Sequence, residues 1–137
     1  MGVFVNDGAA DALLGYVSAN STLMILCQNQ PATFTAAITP STGSASTNCK
    51  LGQSTFSATN FTGPTTASPD GRKLVTDQVT GLSITVTSTL ADHVAIVSST
   101  TASLLLLVTT ISNSQAVTTG NTATINSFTH RVADATT

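Results

Sequence analysis

The chain has 137 residues, including 27 threonines and 16 serines, and only four basic and six acidic side chains for a net charge of −2. Threonine, valine and isoleucine favour strands, and the lack of glutamate with so little lysine and arginine removes the usual residues of surface helices. The composition predicts a mainly β, single-domain antiparallel β-sandwich (jelly-roll-like) over residues 1–137, with one short N-terminal helix. So few basic residues argue against nucleic-acid binding, which depends on clustered lysine and arginine.

The N-terminus shows no targeting signal. Residues 1–5 form a short arm without the basic segment and long apolar core of a signal peptide. The longest apolar run is far below the ~20 residues that a membrane helix needs. We therefore expect a protein made in the cytoplasm that has no membrane partner.

The only good helix candidate covers residues 7–17. Asn6 or Asp7 can cap its N-terminus, where acidic side chains also suit the helix dipole. Gly15 weakens its C-terminal end. Its apolar residues fall on one stripe at helical spacing: Ala9, Ala10, Leu13, Leu14 and Val17.

Strands and loops alternate through the middle of the chain. Apolar and threonine-rich runs predict strands at residues 22–27, 33–38, 51–59, 72–76 and 82–87, the third of them at a sheet edge. Residues 41–48 and 60–71, rich in serine, threonine, glycine and proline, predict surface loops. The basic pair Arg72 and Lys73 lies beside Asp70 and Asp77, which predicts a solvated, self-neutralising patch and no anion site.

The C-terminal third reads as three strands, at residues 93–97, 104–109 and 122–132. The middle strand holds five apolar residues in a row, at positions 104–108. A strand with one wet face alternates apolar and polar residues, so an unbroken run indicates cover on both faces. We expect the core to cover one face of this strand, and either a neighbouring chain or the N-terminal helix to cover the opposite face.

The two cysteines, Cys27 and Cys49, leave three alternatives open. They are two free thiols, an internal disulfide or a disulfide between subunits, and a bridge would form only outside the reducing cytoplasm. Cys49 follows a polar loop, so we expect it to be the more exposed. His93 and His130 are the only other soft metal ligands, and their spacing fits no zinc motif.

No catalytic constellation is visible in the sequence. Asp92 and His93 are adjacent in a predicted strand and should point to opposite faces, so Asp92 should not orient His93 for a serine nucleophile. No nucleophile elbow or phosphate-binding loop occurs. We therefore expect no enzyme, no cofactor, no metal and no small-molecule substrate.

The layout of the chain resembles the small virion structural proteins of tailed bacteriophages, which decorate heads or clothe the neck. The resemblance spans nearly the full length and rests on the helix, the turn that follows the first strand and three C-terminal strings. The turn is QNQPA (28–32), and the three strings are ADHVAIV (91–97), LLLVTT (105–110) and QAVTTGNT (115–122). It implies a non-enzymatic β-sandwich in the virion, made in the host cytoplasm. Its partners would be further copies of itself and major capsid, portal or neck proteins.

On that interpretation the protein is a capsid decoration (cement) or collar/neck sheath subunit. The arm, the apolar strand and the loop around Cys49 are the interface candidates, and apolar burial with strand-edge hydrogen bonds would hold the subunits together. A binding module on the virion or cell surface, such as a fibre domain, is the alternative. The candidate interface residues are Val3, Phe4, Val5, Leu104, Leu106 and Val108.

Overall fold

The chain folds into nine strands and two α-helices over the residues that this computed structural model describes, 6–43, 45–68, 70–100 and 102–133. In chain order the elements are α1 Asp7–Asn20, β1 Leu23–Cys27, α2 Phe34–Ile38, β2 Lys50–Thr55, a 3₁₀ turn Ala58–Asn60, β3 Phe61–Thr66, β4 Arg72–Thr76, β5 Val79–Ile84, β6 Ser88–Ser98, β7 Leu104–Val117, β8 Thr122–Ile125 and β9 Phe128–Val132.

The strands form two antiparallel sheets, which confirms the prediction of a mainly β, sandwich-like fold with an N-terminal helix. The larger sheet has six strands in the order β7-β6-β1-β2-β5-β8, and the smaller has three in the order β3-β4-β9. The main hydrophobic core lies on one face of the larger sheet. Phe61 of β3 and Phe128 of β9 pack against that core from the smaller sheet.

Strand β1 lies between β6 and β2, and its two faces enter two different hydrophobic clusters. Met24 and Leu26 belong to the main core. Ile25 and Cys27 pack on the opposite face in a second cluster, which includes Ala37 of α2. A strand buried on both faces needs no polar alternation, which explains the uninterrupted apolar sequence of β1.

Helix α1 begins where the sequence predicts. The Asn6 side chain caps it by accepting a hydrogen bond from the Gly8 amide at 2.8 Å. The helix continues to Asn20, three residues beyond the predicted end, because Gly15 is tolerated within it. The buried stripe is narrower than predicted and consists of Ala10, Leu14 and Val17. Among the described residues, no helix is long and apolar enough to span a membrane.

Helix α1 is held to the body by packing and by one ion pair. Leu14 and Val17 form a third cluster with Leu74 of β4. Arg72 also donates two hydrogen bonds to the carboxylate of Asp11, from Nε at 2.6 Å and from a terminal nitrogen at 2.9 Å. Such a bidentate pair fixes the position of α1 along β4 as well as its distance from β4.

Two predictions in the first half of the chain are wrong. Residues 33–38 were expected to be extended but include the helix α2, because the Thr33 hydroxyl caps it by accepting from the Ala36 amide at 3.1 Å. Strand β2 was expected at a sheet edge but lies between β1 and β5. Gly52 permits this close packing, since a Cβ there would lie 2.3 Å from the Ser83 carbonyl oxygen.

Two further differences concern the smaller sheet. Residues 60–71 were expected to form a loop but include β3, whose Pro64 is tolerated because β3 is an edge strand. The predicted last strand, 122–132, is instead two strands in different sheets, β8 and β9. The inward-facing set changes phase between Ile125 and Phe128, so the alternation expected through 122–132 is interrupted.

The two neighbouring leucines of α1 provide a matched test of this packing. Leu14 is 3% exposed and Leu13 is 57% exposed. We expect Leu14→Ala to lower the free energy of unfolding by about 2–4 kcal/mol, because it removes buried methyl groups and leaves a cavity. Leu13→Ala should change it by no more than about 0.5 kcal/mol. Urea denaturation of both variants checks this, and equal losses would contradict the observed orientation of α1.

Candidate functional site

The Asp92–His93 pair is arranged differently from the sequence prediction. Asp92 Oδ1 lies 2.7 Å from His93 Nδ1, so the carboxylate does orient the imidazole. The two side chains reach each other because the pairing of β6 with β7 shifts register between Ala91 and His93, which breaks the simple alternation of faces. The prediction that Asp92 cannot orient His93 is therefore wrong.

An oriented imidazole needs a nucleophile within reach to act as a general base. Within the described part of the chain, His93 has no hydrogen bond to a serine, threonine or cysteine. Its partner residue on β1 is Cys27, whose sulfur contacts Cys49 and is fully buried. Among the same residues, no three histidine, cysteine or acidic side chains are grouped to hold a metal ion. Among the described residues, the pair is a contact between neighbouring side chains to which no nucleophile is hydrogen-bonded.

The two cysteines meet in the interior. Cys27 Sγ and Cys49 Sγ are 2.9 Å apart, and Cys49 Sγ also donates to the Ala36 carbonyl at 3.3 Å. Both residues are fully buried, so the expectation that Cys49 is the more exposed is wrong. Cys49 is held inside because its amide donates to the Ala36 carbonyl of α2 and the next residue, Lys50, begins β2. An intersubunit bridge would need one of these sulfurs at the surface.

The contact between the cysteines also affects their ionisation. Hydrogen bonding with Cys49, followed by burial, raises the pKa of the Cys27 thiol. A second negative charge beside the first is strongly disfavoured in an apolar cluster. Hydrogen bonding with Cys27 lowers the pKa of the Cys49 thiol, so Cys49 is the thiol of the pair that ionises first.

The two arginines pair with acidic side chains, and the partner of Arg72 differs from the sequence prediction. Arg72 pairs with Asp11 of α1, and not with the flanking Asp70 and Asp77. Hydrogen bonding to Asp11 raises the pKa of Arg72. Asp70 instead binds Arg131 of β9. Both arginines are thus engaged in ion pairs, which leaves neither as a free anion-binding group.

The apolar run of β7 is half-buried on both faces. Leu105 and Val108 pack against the cluster beneath α2. Leu106 and Leu107 pack against the main core and the α1 cluster. The main core and α1 therefore lie on the same face of the run, and the cluster with α2 covers the opposite face, so the prediction that the N-terminal helix covers the face opposite the core is wrong.

The candidate interface residues Leu104, Leu106 and Val108 are only half-buried, which leaves part of each side chain available for contact. Val3, Phe4 and Val5 lie outside the described residues.

Strand β7 continues well beyond the predicted end at position 109. Its second half, residues 112–116, is exposed, and it was predicted to be a connector because of its polar sequence. The absence of glycine and proline between Leu104 and Val117 was the available signal for a long strand.

A groove of about 280 Å³ opens between the two edge strands of the larger sheet, β7 and β8. Its walls come from residues 109–113 of β7 and residues 123–128, and Leu26, Ala91 and Val94 line its apolar floor. Among the described residues, no charged side chain lines the groove. It is suited to an uncharged chain or molecule that offers both apolar surface and hydrogen-bonding groups.

The chain matches no known protein family, no curated protein and no solved structure.

His130 provides a test of the inner face of the smaller sheet. Its ring packs edge-on against Phe128 with centroids 5.0 Å apart, and its Nε2 is buried without a hydrogen-bond partner among the described residues. Burial lowers the pKa of His130 from the usual 6.5. Because the unfolded chain then binds a proton more readily than the folded chain, stability is lost as pH falls below about 6.5.

We expect the free energy of unfolding to fall between about pH 7 and pH 5, and the fall to be smaller in His130→Leu. Urea denaturation at several pH values measures both slopes. Identical slopes for the two proteins would show that His130 does not titrate differently on folding.

Proposed function

We propose that this protein is a non-enzymatic structural subunit that assembles with other copies of itself through the open edge of β7. The observation that supports this is the long, uncharged edge strand itself. A strand edge presents unpaired N–H and C=O groups that are ready to pair with another chain. A second copy is the proposed occupant, because it brings the same uncharged edge and so forms a self-complementary pair.

The other edge strands of the described fold are protected against such pairing. Strand β8 has only four residues, β3 contains Pro64, which lacks an N–H, and β9 has five residues including the charged Arg131. Strand β7 has 14 residues with neither a charge nor a proline. Irregular pairing with β6 gives it some protection, but residues 107–110 pair with β6 in regular register.

The composition supports the same proposal. Charged residues make up 7% of the chain, compared with about a quarter in an ordinary soluble domain. A surface with so little charge has little electrostatic repulsion between copies. Its many hydroxyl groups can instead be satisfied in contacts between subunits.

For the setting of this assembly we propose the virion of a tailed bacteriophage, as a capsid decoration (cement) or collar/neck sheath subunit. This part rests on the sequence resemblance alone. Its implied partners are further copies of the chain and major capsid, portal or neck proteins. The arm with Val3, Phe4 and Val5 and the strand with Leu104, Leu106 and Val108 remain the candidate contact segments.

The groove beside β7 supports a second candidate, a binding module on a virion or cell surface. Its polar walls and apolar floor are the concave, mixed surface that such a module needs. Its volume of about 280 Å³ lies at the small end for ligand sites, which is why we rank this function second.

Charges placed on the β7 edge should prevent assembly. Thr110 and Ser112 are exposed on β7, and we expect Thr110→Lys with Ser112→Lys to weaken self-association by at least about 10-fold, since two like charges would face each other across the edge. The matched control adds the same charge on the interior strand β5, by Thr80→Lys with Ser83→Lys, both at exposed positions. Light scattering after size-exclusion chromatography measures all three proteins.

The expected result is an oligomer for the unmodified chain and the control, and a monomer for the β7 variant. A strictly monomeric unmodified chain would overturn the proposal of self-assembly. Equal weakening in both variants would assign the effect to net charge and not to the β7 edge. If the β7 variant still assembles and the unmodified chain binds a specific ligand in the groove, the binding module would be favoured.

A further inference from the structure

We propose that Cys27 and Cys49 form a disulfide within one chain, once the protein meets an oxidising thiol–disulfide pool. This modification is independent of the proposed assembly through β7. The geometry carries it, because the two sulfurs already lie 2.9 Å apart and both residues are fully buried. Only a small movement separates this contact from the ~2.05 Å of a disulfide bond.

The backbone around the pair is held in place by three contacts. Cys27 ends β1 and is paired with Lys50 of β2. The Gln28 amide donates to the Cys49 carbonyl at 3.1 Å, and the Cys49 amide donates to the Ala36 carbonyl at 3.0 Å. The two cysteines are therefore fixed relative to each other, and bridging them requires no rearrangement of the strands.

The same contacts favour a disulfide within one chain over a disulfide between two chains. The two sulfurs contact each other and neither is exposed, so a second protein molecule cannot reach one without opening the cluster. The bridge would close the segment of residues 28–48, which includes α2. It would thereby fasten the layer that covers the outer face of β1.

The chemistry balances with glutathione disulfide as the oxidant. The thiolate of Cys49, which ionises first, attacks one sulfur of glutathione disulfide and releases one glutathione thiolate. Cys27 then loses its proton and attacks the Cys49 sulfur of the mixed disulfide, which releases the second glutathione. Two protein thiols are oxidised to one disulfide, and one glutathione disulfide is reduced to two thiols. Access to Cys49 requires a local opening of the loop before β2, a kind of motion that folded proteins undergo.

The experiment uses the full chain, purified with reductant and then exchanged into glutathione disulfide. We expect the intact mass to fall by about 2 Da for the two hydrogens lost, and both thiols to become unreactive in denaturant until reductant is added. Peptide mapping should recover one cross-linked pair that contains Cys27 and Cys49. The thermal midpoint should rise by about 10 °C on oxidation, because the bridge closes a loop in the unfolded chain.

The outcomes are distinguishable in the unmodified chain alone. Two thiols still reactive after denaturation, a stable mass gain of one or two glutathiones, or disulfide-linked dimers on a non-reducing gel would each overturn the proposal. Cys49→Ala, where it folds, serves as the control and should show no rise in thermal midpoint with glutathione disulfide. The oligomeric state can be measured on the same samples. Failure of assembly with a formed bridge, or the reverse, separates this proposal from that of the β7 edge.

Discussion

Burial of β1 on both faces is the constraint on which the rest of the structure depends. Met24 and Leu26 require an apolar layer on one side, and Ile25 and Cys27 require another on the opposite side. Each fully buried side chain of this size stabilises the fold by about 1.5–3 kcal/mol, so leaving either face wet would cost several kcal/mol. The smaller sheet covers the first face. The short helix α2, too small to be stable alone, covers part of the second.

This requirement explains why α2 and the cysteine pair occur together. Helix α2 has five residues, and only Ala37 among them is fully buried, so it contributes a small apolar area. The contact between Cys49 and Cys27 adds to the same layer and brings the start of β2 against the end of β1. Oxidation of the two thiols would therefore reinforce the cover on this second face of β1.

The parts of the fold that the sequence predicts well are those determined by local pattern. The cap of α1, the apolar strand β1 and the strands 72–76 and 93–97 all follow from side-chain periodicity and local hydrogen bonding. The parts it misses depend on contacts distant in sequence. Thr33 begins a helix because Ala37 has a core to enter, and β3 forms because β4 offers it an edge.

The features of the candidate site also divide into those that the sequence shows and those that depend on contacts distant in sequence. The sequence shows two cysteines and an unbroken apolar run, but only the pairing of strands reveals that the cysteines meet and that β7 is an edge. The Asp92–His93 contact was missed because a register shift is invisible to an argument from alternation.

The two halves of β7 have different roles. The apolar half is half-buried on both faces by residues that α1 and α2 help to organise, so much of its side-chain surface is used within the fold. The second half exposes residues 112–116, which are serine, asparagine, glutamine and alanine. A neighbour that pairs here meets mainly backbone and neutral polar groups. Such pairing depends on strand register and hydrogen-bond geometry, and with no charges on the strand it should respond only weakly to ionic strength.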